Sequence, residues 1–175
     1  GIIHRDLKPD NIFLVRDVDV DAGERAKVLD FGVAKLGDTL PGEPRKTQTG
    51  ALMGTPLYMA PEQARAASDI DARADLYSLG CILYQMLVGR PPFAGEGAGE
   101  IIAMQMFGEV EPIASQLQSI TPELDAIVTR LLQKEPHDRY ANATALIEAC
   151  AALPSLSTSL APLRVDAVAR RPSLV

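Results

Sequence analysis

The chain has 175 residues, 47% of them apolar, and a formal net charge of -6 at pH 7. That length and apolar share allow one buried core and fall short of two ordinary domains. The acidic balance argues against a general nucleic-acid or anionic-membrane binder, which would present a basic face. In chain order, Ile12–Val15 and Ala26–Leu29 are short apolar runs on either side of a polar stretch, Arg16 to Arg25, that contains Gly23. They predict a β-hairpin that brings Asn11 and Asp30 close together. Asp17, Asp19 and Asp21 near its tip do not make a calcium loop. Such a loop needs glycine sixth and glutamate twelfth, and counting from Asp17 these positions hold Ala22 and Val28. The acidic residues read as a solvated hairpin tip.

Residues 33 to 58 contain Gly37, Pro41, Gly42, Pro44, Gly50, Gly54 and Pro56 with little apolar periodicity. They read as a long loop, a feature that in compact domains tends to carry function. Asp71 to Val88 is apolar on nearly every face through Leu76, Leu79, Ile82, Leu83, Met86 and Leu87, and stops at Gly89 before Pro91 and Pro92. A helix of this kind has to be covered on all sides. Gly99 to Phe107 predicts a short helix. Thr121, Pro122 and Glu123 supply a cap, a first-turn proline and an acidic first turn to a helix that puts Leu124, Ile127, Val128, Leu131 and Leu132 on one face. Asn142 caps a last helix, Ala143 to Leu153. From Pro154 onward Ser, Pro, Ala and Arg dominate without periodicity, so the end reads as a flexible linker. Cys81 and Cys150 lie in apolar helical patterns without CxxC spacing or a histidine cluster, and are expected to be buried free thiols in a reducing compartment. No run approaches the ~18 apolar residues needed to span a bilayer, and no signal-like segment opens the sequence. The expected location is cytoplasmic, with any membrane tether of a parent protein lying in segments not present here.

Three blocks carry the chemistry: His4-Arg5-Asp6-Leu7-Lys8-Pro9-Asp10-Asn11, then Asp30-Phe31-Gly32, then Ala60-Pro61-Glu62. With GTPLYMAPEQ around the third block, DARADLYSLGCILYQMLVGRPPF after it and LLQKEPHDRY later, they resemble the catalytic loop, metal-binding turn and activation-segment end of a protein kinase, over roughly residues 1 to 150. Lys8 and the GTPLY stretch resemble serine/threonine kinases, and residues 69 to 93 resemble the bacterial eukaryotic-like kinases. The resemblance implies a mainly α fold with a small β-hairpin: a protein-kinase-like C-terminal lobe, with the N-terminal lobe absent. It divides the chain into a partial kinase domain, residues 1–153, and a tail, 154–175. The glycine-rich loop, the strand lysine that holds the phosphates and its glutamate partner have no counterpart in these residues.

By the same resemblance, Asp6 orients the substrate hydroxyl and accepts its proton, and Lys8 contacts the transferring phosphate. Asn11 and Asp30 supply oxygens for Mg2+, a hard cation that prefers such ligands, so ATP and Mg2+ are the expected cofactors. His4 is structural and packs near Phe31, with Gly32 completing the turn. Arg5 resembles the arginine that pairs with an activation-loop phosphate. Thr47 and Thr49, behind Arg45 and Lys46, are the candidate phosphorylation sites. Thr55 is a substrate-loop threonine that contacts Asp6 and Lys8. Glu62 and Arg139 match a buried ion pair, and Asp75 matches the acidic residue that holds the catalytic-loop backbone. Arg170-Arg171-Pro172-Ser173 resembles a basic-directed phosphorylation site, but four-residue matches of that kind arise often by chance.

The implied activity is transfer of the ATP γ-phosphate to Ser/Thr hydroxyls of protein substrates, in partnership with the missing N-terminal lobe. A reading from another class is a catalytically inert kinase-like remnant that serves as a binding or regulatory module. The isolated chain is expected to be inactive, with one flank of the Asp71–Val88 helix left uncovered and open to association.

Overall fold

A computed structural model of the chain describes residues 2–20, 23–30 and 56–154. Within them the protein is mostly helical with one two-stranded antiparallel sheet. Strands β1 (Ile12–Arg16) and β2 (Glu24–Val28) pair in the register Ile12↔Val28 through Arg16↔Glu24, so the hairpin forms where the two apolar runs predict it. Gly23 closes the tip at φ 69°, a left-handed conformation that costs glycine little. Asp17 is a turn residue: its carboxylate accepts from the Asp19 amide at 3.0 Å and pairs with Arg25. The sheet has no covering layer among the described residues. All of β2 is exposed, and so are Phe13 and Leu14 of β1.

The helices are α1 (Pro61–Ala64), α2 (Arg73–Val88), α3 (Ala98–Phe107), α4 (Pro122–Leu131) and α5 (Ala143–Ala151). Their ends follow from capping chemistry. Asp71 stays outside α2 and accepts from the Arg73 amide at 2.9 Å, so the helix begins two residues later than the apolar pattern implies. Thr121 Oγ1 accepts from the Leu124 amide and Asn142 Oδ1 from the Ala145 amide, as the sequence predicts for α4 and α5. Gly89 ends α2 at φ 84°. Segment 33–58 lies outside the described residues except for its last three, Pro56–Tyr58, which form a 3-10 turn.

Helix α2 is the centre of the molecule. Ala74, Tyr77, Cys81 and Tyr84 pack with Ala60, Ile113, Val128 and Leu132 on one side. Leu76 packs with Ile127, Leu131, Tyr140 and Leu146 on the other. The close approach of α4 requires Gly80, where a Cβ would come within 2.8 Å of Leu131 Cβ. The expected uncovered flank of this helix is not where the exposed apolar surface lies. Met86 is its only large exposed apolar side chain, because α4 and the Pro56–Tyr58 turn wrap it. Most of the other exposed large apolar side chains, Phe13, Leu14, Val18, Val28 and Leu29, lie on or beside the hairpin, with Ile2, Phe107 and Ile147 elsewhere. Cys150 is a second correction. Cys81 is buried but Cys150 is exposed, since the short helix α5 buries only the stripe formed by Ala145, Leu146, Ala149 and Leu153, and Cys150 falls beside it.

Candidate active site

The loop His4–Asn11 has little regular structure of its own, so its shape depends on partners brought to it. Asp75, in the first turn of α2, accepts from both the His4 amide at 2.8 Å and the Arg5 amide at 2.9 Å. Arg5 holds a left-handed φ of 63°, unusual for a non-glycine residue. Asp75 grips its amide, and Gln63 Nε2 donates to its carbonyl at 2.8 Å, so both peptide groups flanking the strained position are fixed. The carboxylate of Asp75 therefore acts on the loop backbone, as the sequence predicts, rather than only on its own helix dipole.

His4 is buried and uses both ring nitrogens. Nδ1 accepts from the Asp6 amide at 3.3 Å, which makes Nε2 the protonated nitrogen that donates to Leu29 O at 2.9 Å. It ties the loop to the end of β2, a structural role. Phe31, its expected neighbour, lies outside the described residues, as do Gly32, Thr47, Thr49 and Thr55.

Asp6 and Lys8 pair at 3.3 Å, Lys8 Nζ to Asp6 Oδ2. Both are partly solvated, so the pair adds little to stability and matters for where it holds the carboxylate. Asn11 is buried at the end of the 3-10 turn Pro9–Asn11, and its Nδ2 donates to Asp6 O at 2.9 Å. Its own carbonyl accepts from the Leu29 amide at 2.9 Å. The hairpin register thus sets Asn11 opposite Leu29, one residue before Asp30. Asp30 leaves β2 with φ 56° and an exposed side chain. Among the described residues no group of three or more His, Cys, Asp or Glu side chains could hold a metal, so a cation here would rest on few protein oxygens.

The predicted ion pair forms. Arg139 NH1 donates to Glu62 Oε1 at 2.7 Å and NH2 to Glu62 Oε2 at 2.8 Å, with the arginine side chain 0% exposed. Its remaining donors go to the carbonyls of Arg73, Gln133 and Lys134, so all five N–H groups are used. This pair joins α1 to the segment that precedes α5.

Four residues that sequence reasoning does not single out complete the surroundings. Gln63 bridges the Arg5 carbonyl and the Ala60 amide. Ser78 Oγ donates to Tyr58 O at 2.7 Å, and Gln105 Nε2 donates to Pro56 O and Leu57 O. Lys134 Nζ donates to Met104 O and Gln105 O and lies 4.2 Å from the Phe93 ring centroid. Burial pulls the Lys134 amine down to about 8 and pushes the Cys81 thiol up to about 12. Burial, and then the Asp10 carboxylate, raise the Tyr58 phenol above its ordinary range.

The model of the protein kinase domain family matches residues 1–150. The serine/threonine-protein kinase Pkn1 of Myxococcus xanthus is 45% identical over 175 residues, covering 98% of this chain and 23% of the relative. PknB of Mycolicibacterium smegmatis is 44% identical over 144 residues, 82% of this chain and 21% of that protein. A probable serine/threonine-protein kinase of Streptomyces coelicolor is 43% identical over 154 residues, with 86% and 21% covered. The chain belongs to the protein kinase domain family, and within it to the eukaryotic-like serine/threonine type found in bacteria. It spans about a fifth of the length of these curated relatives. No helix among the described residues is long and apolar enough to cross a membrane.

Proposed function

We propose that these residues are the C-terminal lobe of a serine/threonine protein kinase and supply the hydroxyl side of phosphoryl transfer, with the nucleotide-side elements provided by sequence outside them. The observation that carries this reading is the Asp6–Lys8 pair on a loop whose strained backbone is held by Asp75 and Gln63. Held in this way, Asp6 can align a substrate Ser or Thr hydroxyl and take its proton as the oxygen bonds to the γ-phosphorus and the bond to the ADP oxygen breaks. Lys8 meets the charge on the transferring group.

The donor set fits Mg2+. Asn11 turns its NH2 to Asp6 O, which leaves Oδ1 as its ligating atom, and Asp30 offers a carboxylate one residue beyond the Asn11–Leu29 hydrogen bond. The bound cation would neutralise charge on the nucleotide phosphates. The substrate-loop role, contact with Asp6 and Lys8, is carried to Thr55 by the sequence resemblance alone. Phosphate on Thr47 or Thr49 pairs with Arg5, whose left-handed backbone the activating phosphate would help to hold. Residues 154–175 read as a tail by sequence alone, and the isolated 175 residues are inactive because the sequence holds no counterpart of the glycine-rich loop and strand lysine that position the γ-phosphate.

The test is Asp6→Asn in the protein expressed from its complete gene. Turnover should fall at least ~10²-fold with folding unchanged by circular dichroism, the scale of a positioned proton acceptor. Near-normal turnover would remove Asp6 from this role, and no transfer by the wild type would favour the binding-module reading.

A further inference from the structure

Gln105 sits on α3 with apolar neighbours, yet it is 0% exposed and every polar atom of its side chain is engaged. Oε1 accepts from Tyr77 Oη at 2.6 Å, while Nε2 donates to Leu57 O at 2.8 Å and Pro56 O at 3.2 Å. The amide cannot be turned around. Turned around, it would set its oxygen against two carbonyl oxygens; Lys134 Nζ, for its part, donates to Tyr77 Oη at 3.4 Å. The same ammonium donates to the carbonyls of Met104 and Gln105, which fixes the C-terminal turn of α3 that bears the glutamine.

The Pro56–Tyr58 turn is thus held from three sides: by Gln105, by Ser78 Oγ on Tyr58 O at 2.7 Å, and by Gln85 Oε1 accepting from Tyr58 Oη at 2.6 Å. Two residues further on, the Ala60 amide donates to Gln63 Oε1, and Gln63 Nε2 donates to Arg5 O. Hydrogen bonds from Lys134 through Tyr77 and Gln105 to the turn are thus joined, by the backbone of residues 58–60, to those of Gln63 on the loop that bears Asp6. Leu57, Tyr58 and Met59 remain half-buried along this path, so a peptide can touch them without unfolding anything.

We infer that Gln105 is a positioning residue for the protein substrate: through the carbonyls of Pro56 and Leu57 it sets the turn against which the accepting peptide lies beside Asp6. This rests on the kinase reading above. Water cannot replace Nε2 at a fully buried site, so its loss takes the donor from Leu57 O, leaves Pro56 O only the Met59 amide, and frees the turn while the helices stay packed.

Gln105→Met keeps the volume and removes the donors. Leu146→Ala, in the α5 core away from the turn, is the control for plain destabilisation. In the protein expressed from its complete gene, Gln105→Met should raise KM for a peptide substrate roughly tenfold, the effect of about one hydrogen bond, with kcat and KM for ATP unchanged. Leu146→Ala should lower stability and leave KM for the peptide alone. Hydrogen exchange of the Met59 and Ala60 amides should quicken in Gln105→Met and not in Leu146→Ala. Unchanged exchange at those amides, or an unchanged peptide KM, overturns the inference. A wild type that transfers no phosphate overturns the kinase reading and the peptide role with it, while exchange still reports whether Gln105 holds the turn.

Discussion

Glu62→Gln is the most demanding test of the packing described above. The substitution keeps the shape of the side chain and removes its charge. It leaves Arg139, fully buried, as an uncompensated cation, and turns an amide N–H toward a guanidinium N–H that previously met an oxygen at 2.7 or 2.8 Å. Breaking a buried pair from one side costs about 3 to 5 kcal/mol, and a domain of this size has only about 5 to 15 kcal/mol in all. The variant should therefore sit near the edge of stability. The chain has no tryptophan, so urea unfolding is followed by far-ultraviolet circular dichroism, which reads the helices directly. The midpoint should fall with the slope unchanged. Glu62→Leu combined with Arg139→Met should cost less than the two single changes added, because neither charge is then stranded. Recovery stays incomplete, since the carbonyls of Arg73, Gln133 and Lys134 each lose a donor. A loss below about 1 kcal/mol in Glu62→Gln is what a solvated pair gives, and would refute the claim that this pair is buried.

Asp75→Ala removes two hydrogen bonds to a carboxylate and should cost about 2 to 3 kcal/mol, with faster hydrogen exchange at the His4 and Arg5 amides. Unchanged protection at those amides would show that the loop holds itself. Lys134 gives a pH signature: the folded amine releases its proton near 8, the unfolded one near 10.5, so between these values the unfolded state binds more protons and stability rises with pH. Above about pH 9 the thiol of Cys81 opposes this, being neutral when folded and ionised when unfolded. Urea midpoints at pH 8 and pH 9 should rise in the wild type relative to Lys134→Met, and a flat difference would count against a half-buried, desolvated ammonium.

Much of the fold was legible because its signals are local. Asn142 and Thr121 announce their helices through short side chains that reach amides three residues on, and the hairpin follows from two apolar runs around Gly23. The partners of Asp75, Glu62 and Arg139 could be anticipated because these residues stand in a long motif. Those of the glutamines could not. Gln63, Gln85 and Gln105 read as ordinary polar helix positions, and only the tertiary packing shows that they meet backbone carbonyls, an amide and two tyrosines. The one available signal was Gln105 within the apolar run of α3, a polar residue where a buried face was expected. Cys150 failed for the opposite reason: its neighbours are apolar, but a short last helix has only one face to bury.

The contacts that shape the His4–Asn11 loop join residues far apart in the chain. Asp75 is 71 positions from His4 and 70 from Arg5, and Gln63 is 58 from Arg5. The hairpin and the helices can form from their own neighbourhoods, but these ties must wait until long stretches of chain have closed, and that closure is entropically costly. The loop thus takes its strained shape late in folding, after the helical scaffold exists. Substitutions at Asp75 or Gln63 should then quicken unfolding and leave the folding rate nearly unchanged, which stopped-flow measurements would separate. The segment nearest the chemistry would be the last to become ordered and the first to come undone.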